Sequence, residues 1–323
     1  MLFKKEELVA ASELIYQSMP PTPLIQWPGL QNLTGVEVSV KHENHTPIGA
    51  FKVRGGITFI DWLRKTEPET KGIVSATRGN HGQSLARAAK AHGLVCRIVI
   101  PHGNSFEKNQ AMDSFGADLI EFGNDFDSAR VEAMRISDDE GLYFVPSYHK
   151  EIVRGVATYA LELFTSNQDL HTVYVPIGCG SGICGVIAVR DALGLKTNVV
   201  GVVSENAQTA KLSVEAGKLV ETNSANTFAD GMAVRVPVKE AFDIYSRGVE
   251  RIVSVTDENI AEAIRALFRT THNVAEGAGA ASLAALFQER DLMKGKSVGV
   301  VLSGGNIDMD KFRDVLSGEV PFF

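Results

Sequence analysis

The chain has 323 residues, 44% hydrophobic and 22% charged, which allows a sizeable core and two lobes. A net charge of −7 without any basic block argues against nucleic acid and anionic membrane as partners. No run approaches the ~18 apolar residues of a membrane span, the opening MLFKKEELVAASELIYQ lacks a signal peptide's apolar core, and Cys96, Cys179 and Cys184 have neither ligand spacing nor the even number of a disulfide framework, so a soluble protein of the reducing cytoplasm is expected.

In chain order, short β-branched runs alternate with helical patterns. Strands are expected at 36–41 (VEVSVK), 72–76 (GIVSA), 95–100 (VCRIVI), 117–122 (ADLIEF), 171–177 (HTVYVPI), 198–203 (NVVGVV), 251–255 (RIVSV) and 297–302 (SVGVVL). Helical spacing begins just after Pro47 with Val53, Ile57, Ile60 and Leu63, and recurs at 80–92, 105–115, 125–139, 181–193, 257–270 and 276–288. This rhythm predicts an α/β protein with mostly parallel sheets. No repeat, low-complexity segment or long linker separates two units. The lobes must therefore interleave, with residues 72–150 forming one and residues 1–71 with 151–323 the other.

Ligands of such folds sit where strands end and helices begin. The first loop of interest is GAFKVRGG (49–56). It puts Lys52 and Arg54 in the first turn of a helix, at the positive end of its dipole, with no acid nearby and two glycines weakening the turn. The dipole should depress the pKa of Lys52 and suit it to act as a nucleophilic amine; the plain alternative is a lysine that snorkels to solvent. The second loop, SATRGNHG (75–82), ends a strand and opens a helix that closes near Gly93. Backbone N–H groups from Thr77 to His81 can converge there on an anion, with charge added by Arg78. Plain packing gives Gly79-Asn80-His81-Gly82 little reason to exist.

The third loop, PIGCGSGICG (176–185), lets backbone N–H groups wrap a phosphate at a helix N-terminus. It also satisfies the dinucleotide fingerprint as Gly180-x-Gly182-x-x-Gly185, with Glu205 at 25 residues' distance, so a dinucleotide-binding oxidoreductase stays open on this loop alone. The fourth, SGGN (303–306), ends a buried strand and offers one hydroxyl, Ser303, beside two glycines. A dinucleotide accounts for the third loop only. Pyridoxal phosphate accounts for all four: phosphate in the glycine loop, aldehyde on Lys52 as a Schiff base, ring nitrogen at Ser303, and a substrate carboxylate at the helix start of the second loop.

The same segments carry a resemblance. GAFKVRGG is similar to the Ser-Phe-Lys-x-Arg-Gly loop of fold-type II pyridoxal-phosphate enzymes. The chain resembles the threonine/serine dehydratase and serine racemase family over nearly its whole length, through PPTPL, KHENHTPIGAFKVRGG, SATRGNHGQS, PIGCGSG, VSEN, TFADGMAV, VAEGAGAA and VLSGGNID in that order. The resemblance implies two interleaved open-sheet α/β lobes of the tryptophan synthase β-like kind. Residues 1–71 and 151–323 would form a large cofactor-binding domain, and 72–150 a small substrate-closing domain. It implies Lys52 as cofactor anchor and proton-moving base, Phe51 against the ring, and Asn80 on the ring's 3-oxygen. It further implies phosphate on the backbone of Gly178, Cys179, Gly180, Ser181 and Gly182, Ser303 at the pyridine nitrogen, and Gly231 and Glu276 close to the cofactor. Thr77, Arg78, Asn80 and His81 would flank the substrate carboxylate. The implied activity is β-elimination on L-threonine or L-serine to a 2-oxo acid and ammonia, by a homodimer or larger homo-oligomer.

Departures from the family pattern sharpen the expectation. Ala50 replaces a serine, and Val156-Ala157 stands where Gln-Gly is usual. Arg78 stands where serine racemases carry a proton-moving serine. A guanidinium cannot accept a proton, which argues against racemisation and for pairing with a substrate carboxylate. Dehydration of 3-hydroxyaspartate or phenylserine, and racemisation, are the alternatives on the same scaffold. NAQTAK after Glu205 carries no carboxylate, so no metal is expected.

Overall fold

The computed structural model describes residues 2–322. In chain order its elements begin with α1 (Lys5–Tyr16), β1 (Leu24–Gln26), α2 (Pro28–Thr34), β2 (Glu37–His42), α3 (Lys52–Thr66), β3 (Gly72–Ala76), α4 (Asn80–Ala91) and β4 (Val95–Ile100). Next come α5 (Phe106–Ser114), β5 (Asp118–Glu121), α6 (Phe126–Glu140), β6 (Tyr143–Phe144), α7 (Lys150–Ser166), β7 (Thr172–Pro176), α8 (Ser181–Ala192) and β8 (Asn198–Ser204). The chain ends with α9 (Thr209–Ala216), a 3₁₀ turn at Asp230–Met232, α10 (Lys239–Gly248), β9 (Arg251–Val255), α11 (Asp257–Thr271), α12 (Gly277–Glu289), β10 (Ser297–Leu302) and α13 (Met309–Ser317).

The strands form two sheets. A six-stranded sheet runs β1-β2-β10-β7-β8-β9 and a four-stranded one β5-β4-β3-β6. All neighbours pair parallel except β1 with β2. The central strands are buried along nearly their whole length, as β3, β8 and β10 show. That is why they read as continuous β-branched runs rather than as alternating ones. The short edge strands β1 and β6, of three and two residues, carry too little pattern to be seen in the sequence.

Helix α3 joins the two sheets. Its Phe59, Ile60 and Leu63 pack in one apolar cluster with Ile73 of β3, Leu85 of α4, Ile98 of β4, Val156 of α7 and Val175 of β7. Gly55 and Gly56 do not merely weaken this helix. A Cβ on Gly55 would lie 2.7 Å from Ile152 Cγ2, and one on Gly56 2.2 Å from Ser84 Oγ, so both glycines exist to let α7 and α4 approach. Helix α7 is held between α3 and α8. Val156 and Ala157 are fully buried, and a Cβ on Gly185 of α8 would lie 3.1 Å from the Ala157 backbone. This departure from the family pattern therefore lies in helix packing. No described helix is long and apolar enough to cross a membrane.

The lysine loop is pinned to the end of β10. Phe51 N–H donates to the Ser303 carbonyl at 3.0 Å, Gly305 N–H to the Gly49 carbonyl at 2.9 Å, and Ala50 bridges to Gly304. The carboxyl ends of β7 and β10 are neighbours in the large sheet, and the end of β3 faces them from the small one.

Candidate active site

Lys52 opens α3 and extends into the cleft between the sheets. Its Nζ donates to Ser181 Oγ at 3.2 Å and lies 4.9 Å from the centre of the Phe51 ring. That ring meets Tyr159 edge-on at 6.0 Å. No carboxylate forms an ion pair with the amine among the described residues. Burial holds its pKa below the ordinary lysine value, against the weaker opposing pull of Cys179 and Glu276. Desolvation, rather than the helix dipole expected from the sequence, is the leading cause.

Arg54, two residues on, corrects the expectation that no acid lies nearby. It is fully buried and bonded to Glu43 (Nε to Oε2, 2.8 Å) and Glu162 (Nη1 to Oε1, 2.6 Å). Its charge belongs to the architecture and not to the cleft.

The glycine loop forms the floor. Gly180 adopts φ +96° as N-cap of α8, and a Cβ there would lie 2.7 Å from Ala241 Cβ. A Cβ on Gly178 would lie 2.3 Å from the carbonyl oxygen of Gly231, which explains why both positions lack side chains. The first N–H groups of a helix have no acceptor within it, so Cys179 to Gly182 present a positive concavity suited to a phosphate dianion.

Opposite the floor, the loop after β3 starts α4. Thr77 Oγ1 accepts from Gly79 N–H at 3.0 Å, so the hydroxyl shapes the loop itself. Asn80 Nδ2 donates to Glu276 Oε1 at 2.7 Å, while its Oδ1 accepts from Asn306 Nδ2 at 2.7 Å. One of its N–H bonds is left for another acceptor. His81 is buried and its pKa is pushed down to about 3 by burial and by the nearby Lys52 charge. Its Nε2 has no hydrogen-bond partner among the described residues. Gly82, read from sequence as part of a binding motif, packs: a Cβ there would lie 2.3 Å from Met112 Sδ of α5.

Every residue that the resemblance assigns to cofactor or substrate lines this one cavity, and Arg78 and Cys179 face both it and a second cavity outside. Sequence reasoning missed a buried charge group on the far wall. Lys108 Nζ of α5 lies 2.5 Å from Asp230 Oδ2 and 3.4 Å from Glu276 Oε2. Burial works against the Lys108 charge, but the two carboxylates outweigh it and raise its pKa. Burial raises Glu276, and Lys108 opposes that rise. Lys108 sits three residues after the helix-capping Ser105, where a lysine looks like ordinary surface; only the fold brings Asp230 to it. Glu205 is exposed and outside the cavity, and Gly185 serves helix packing, so the dinucleotide fingerprint is a coincidence of spacing.

The donor set fits pyridoxal phosphate. It combines a glycine cradle at a helix N-terminus, an amine of lowered pKa without a carboxylate partner, a buried His81 Nε2 without a hydrogen-bond partner among the described residues, and Ser303 on the cavity wall. Among the described residues no group of three or more His, Cys, Asp or Glu gathers as a metal site.

Comparison with known proteins agrees with this chemistry. The family pattern described as pyridoxal-phosphate dependent enzyme matches residues 15–304. The chain is 34% identical over 313 residues to an L-threonine ammonia-lyase of Thermotoga maritima, covering 97% of this chain and 78% of that one. It is 32% identical over 300 residues to a catabolic L-threonine dehydratase of Staphylococcus aureus, covering 91% and 86%. Among solved structures, the processed form of threonine deaminase isoform 2 from Solanum lycopersicum superposes with a TM-score of 0.88 at 28% identity, over 98% of this chain and 94% of that one. Maize serine racemase superposes with a TM-score of 0.90 at 25% identity, over 98% of both.

Proposed function

The chain belongs to the pyridoxal-phosphate dependent enzymes, and we propose that within this family it carries out β-elimination on a β-hydroxy amino acid such as L-threonine or L-serine, giving a 2-oxo acid and ammonia. The observation that carries the proposal is Lys52: an amine kept below its ordinary pKa by burial, with a hydroxyl and no carboxylate as partner, beside a helix N-terminus built for a phosphate. The names of the L-threonine ammonia-lyase and dehydratase relatives support the same reaction.

Pyridoxal phosphate, when bound, supplies an aldehyde for an amine and an electron sink for carbanion chemistry. The backbone of Gly178 to Gly182 would hold its phosphate, Phe51 its ring face, and Ser303 Oγ its ring nitrogen. Ser303 is a neutral partner and brings no counter-charge to hold a proton on that nitrogen, which suits elimination, where the leaving hydroxyl takes the electrons, more than transamination. Asn80, fixed by Glu276 and Asn306, would direct its remaining N–H toward the ring's 3-oxygen.

Lys52 Nζ would remove the substrate's α-proton, a step for which a lowered pKa is an advantage near neutral pH. The N–H groups opening α4, with Thr77, Arg78 and His81, would receive the α-carboxylate. His81 stays neutral at neutral pH, so it adds no repulsion to Lys52. Arg78 cannot accept a proton and leaves its position without a second proton mover, which favours elimination over racemisation. Residues 72–150 would act as the closing domain over the larger one. A homo-oligomer in the cytoplasm is the setting the resemblance supports.

The test is a visible spectrum of the purified protein with 2-oxo acid assayed after addition of L-threonine or L-serine. A yellow band lost or altered in Lys52→Ala, together with oxo acid, supports the proposal. A wild-type protein that stays colourless after incubation with pyridoxal phosphate, or a yellow one that releases no oxo acid from any β-hydroxy amino acid, overturns it.

A further inference from the structure

A second cavity of about 820 Å³ opens directly onto the first, sharing Arg78, Phe126, Ser147, Cys179, Ala233 and Val234 with it. A cavity of about 150 Å³ is enough to hold a benzene ring, so this space has room for an aryl group and more. The β-methyl of threonine, or the bare β-carbon of serine, would leave it unfilled.

Its walls differ from an ordinary solvent cleft. On one side Phe126, Phe144 and Tyr148 present half-buried aromatic surface; on the other stand half-buried Val234 and Pro237 with exposed Val236. The two walls come from different parts of the chain and are tied across the cavity. Arg235 pairs with Asp125 at 3.3 Å and with Asp127, both at the start of α6. These ion pairs join three of the charged groups to one another, while Arg78, Arg130, Lys239 and Glu240 stand elsewhere on the lining, so the cavity is an apolar and aromatic slot with a charged border. Aromatic side chains bind aromatic ligands by stacked or edge-on contacts, and apolar lining with a few polar groups is the usual make-up of a small-molecule site.

We propose that this outer cavity is the subsite for the substrate's β-substituent, and that the preferred substrates are β-hydroxy amino acids bearing an aryl group there, rather than a methyl or hydrogen. The proposal rests on the β-elimination reading of the inner cavity. For phenylserine the balance closes without a redox partner. The Cα–H and Cβ–O bonds break and water leaves; water then hydrolyses the released enamine, restoring an oxygen and freeing ammonia. The net products are phenylpyruvate and ammonia.

Two measurements on the holoenzyme test it. The first compares kcat/KM for threo-phenylserine and L-threonine in the wild type and in Val236→Trp, a partly exposed position outside the inner cavity. Wild type should favour phenylserine by at least about tenfold, a discrimination that a hydrophobic pocket supplies. Val236→Trp should remove most of that advantage while leaving L-threonine within about twofold. The second needs no turnover: calorimetric titration with L-phenylalanine and L-alanine, which lack the leaving hydroxyl. L-Phenylalanine should bind at least about tenfold tighter, and Val236→Trp should erase the difference. Turnover of L-threonine equal to or better than phenylserine, or equal binding of the two unreactive amino acids, overturns the subsite while the elimination reading stands. Absence of oxo acid from both substrates overturns the elimination reading and the subsite with it.

Discussion

Two cations stand on the first turn of α3, Arg54 fully buried and Lys52 half-buried, and they show two different solutions to the loss of water. Arg54 is surrounded by Glu43, Glu162, Thr158 and Thr22. Lys41 completes the group, 2.5 Å from Glu162 and 2.7 Å from the Thr22 carbonyl, so two cations meet two carboxylates and the formal charges cancel. Tyr16 adds a hydrogen bond to Glu162 and is pushed up to about 12 by burial and that carboxylate. Lys52 receives only a hydroxyl and a ring face, and its pKa falls where that of Arg54 rises. A buried charge with complete partners is architecture; a half-buried amine deprived of them is poised for chemistry. The Arg54 cluster gathers α1, β2, α3 and α7 and fixes the rotation of α3, which points Lys52 into the cleft.

The contrast breaks most decisively at Lys52. Lys52→Ala should lower turnover by a factor of ~10²–10⁴ or more, while leaving thermal stability unchanged or slightly raised, because the amine contributes no ion pair to the fold. Arg54→Met should show the opposite pattern. It strands Glu43 and Glu162 with Lys41 alone, and breaking a buried pair costs about 3–5 kcal/mol. Denaturant unfolding of the two variants side by side separates the roles. A stable but inactive Arg54→Met would move Arg54 into the cleft chemistry and end the contrast.

Much of this was legible in the chain. Strands β3, β4, β9 and β10 fall at the boundaries that β-branched runs indicate, and α4 to α6, α8, α11 and α12 within a residue of theirs. The four loops do share a cavity, because loop chemistry is local and the parallel topology aligns strand ends. What escaped is tertiary pairing. Arg54 and Glu162 are separated by 108 residues, and Lys108 and Asp230 by 122. No spacing rule links such positions. Helix α7, which carries Glu162, is buried on most sides and shows a broad apolar surface rather than a stripe. Gly55 and Gly56 follow the same rule: propensity counts their local cost, and only packing reveals their contact.

His42 sharpens the physics of burial in an accessible pH range. It is fully buried, its Nε2 accepts from Trp27 Nε1 at 2.9 Å, and its Nδ1 side faces Asn44 Oδ1 at 3.2 Å. Burial, then the nearby His45, pushes its pKa down to about 4 from 6.5. The unfolded chain therefore binds the proton more readily, so stability is full above pH 6.5 and is lost as the pH falls toward 4. The loss should be on the order of 2–3 kcal/mol. Urea midpoints measured between these limits should fall less steeply in His42→Gln than in wild type; parallel slopes would mean that His42 is already charged in the folded protein, and would weaken the same inference for Lys52.

The smallest effect belongs to a third cation of α3. Lys65, in the last turn, reaches back to Asp61 at 2.8 Å but is 72% exposed. Water screens this pair, and ordering two side chains offsets what Coulomb attraction remains, so Lys65→Ala should change stability by no more than about 0.5 kcal/mol and leave turnover untouched. The ion pair is as short as that of Arg54 with Glu43, 2.8 Å in both. Equal distances with unequal losses would show that surroundings, not contact length, decide what a cation on this helix contributes. A loss at Lys65 approaching that at Arg54 would mean instead that the helix itself is marginal, and that the large effect at Arg54 reports helix stability rather than stranded carboxylates.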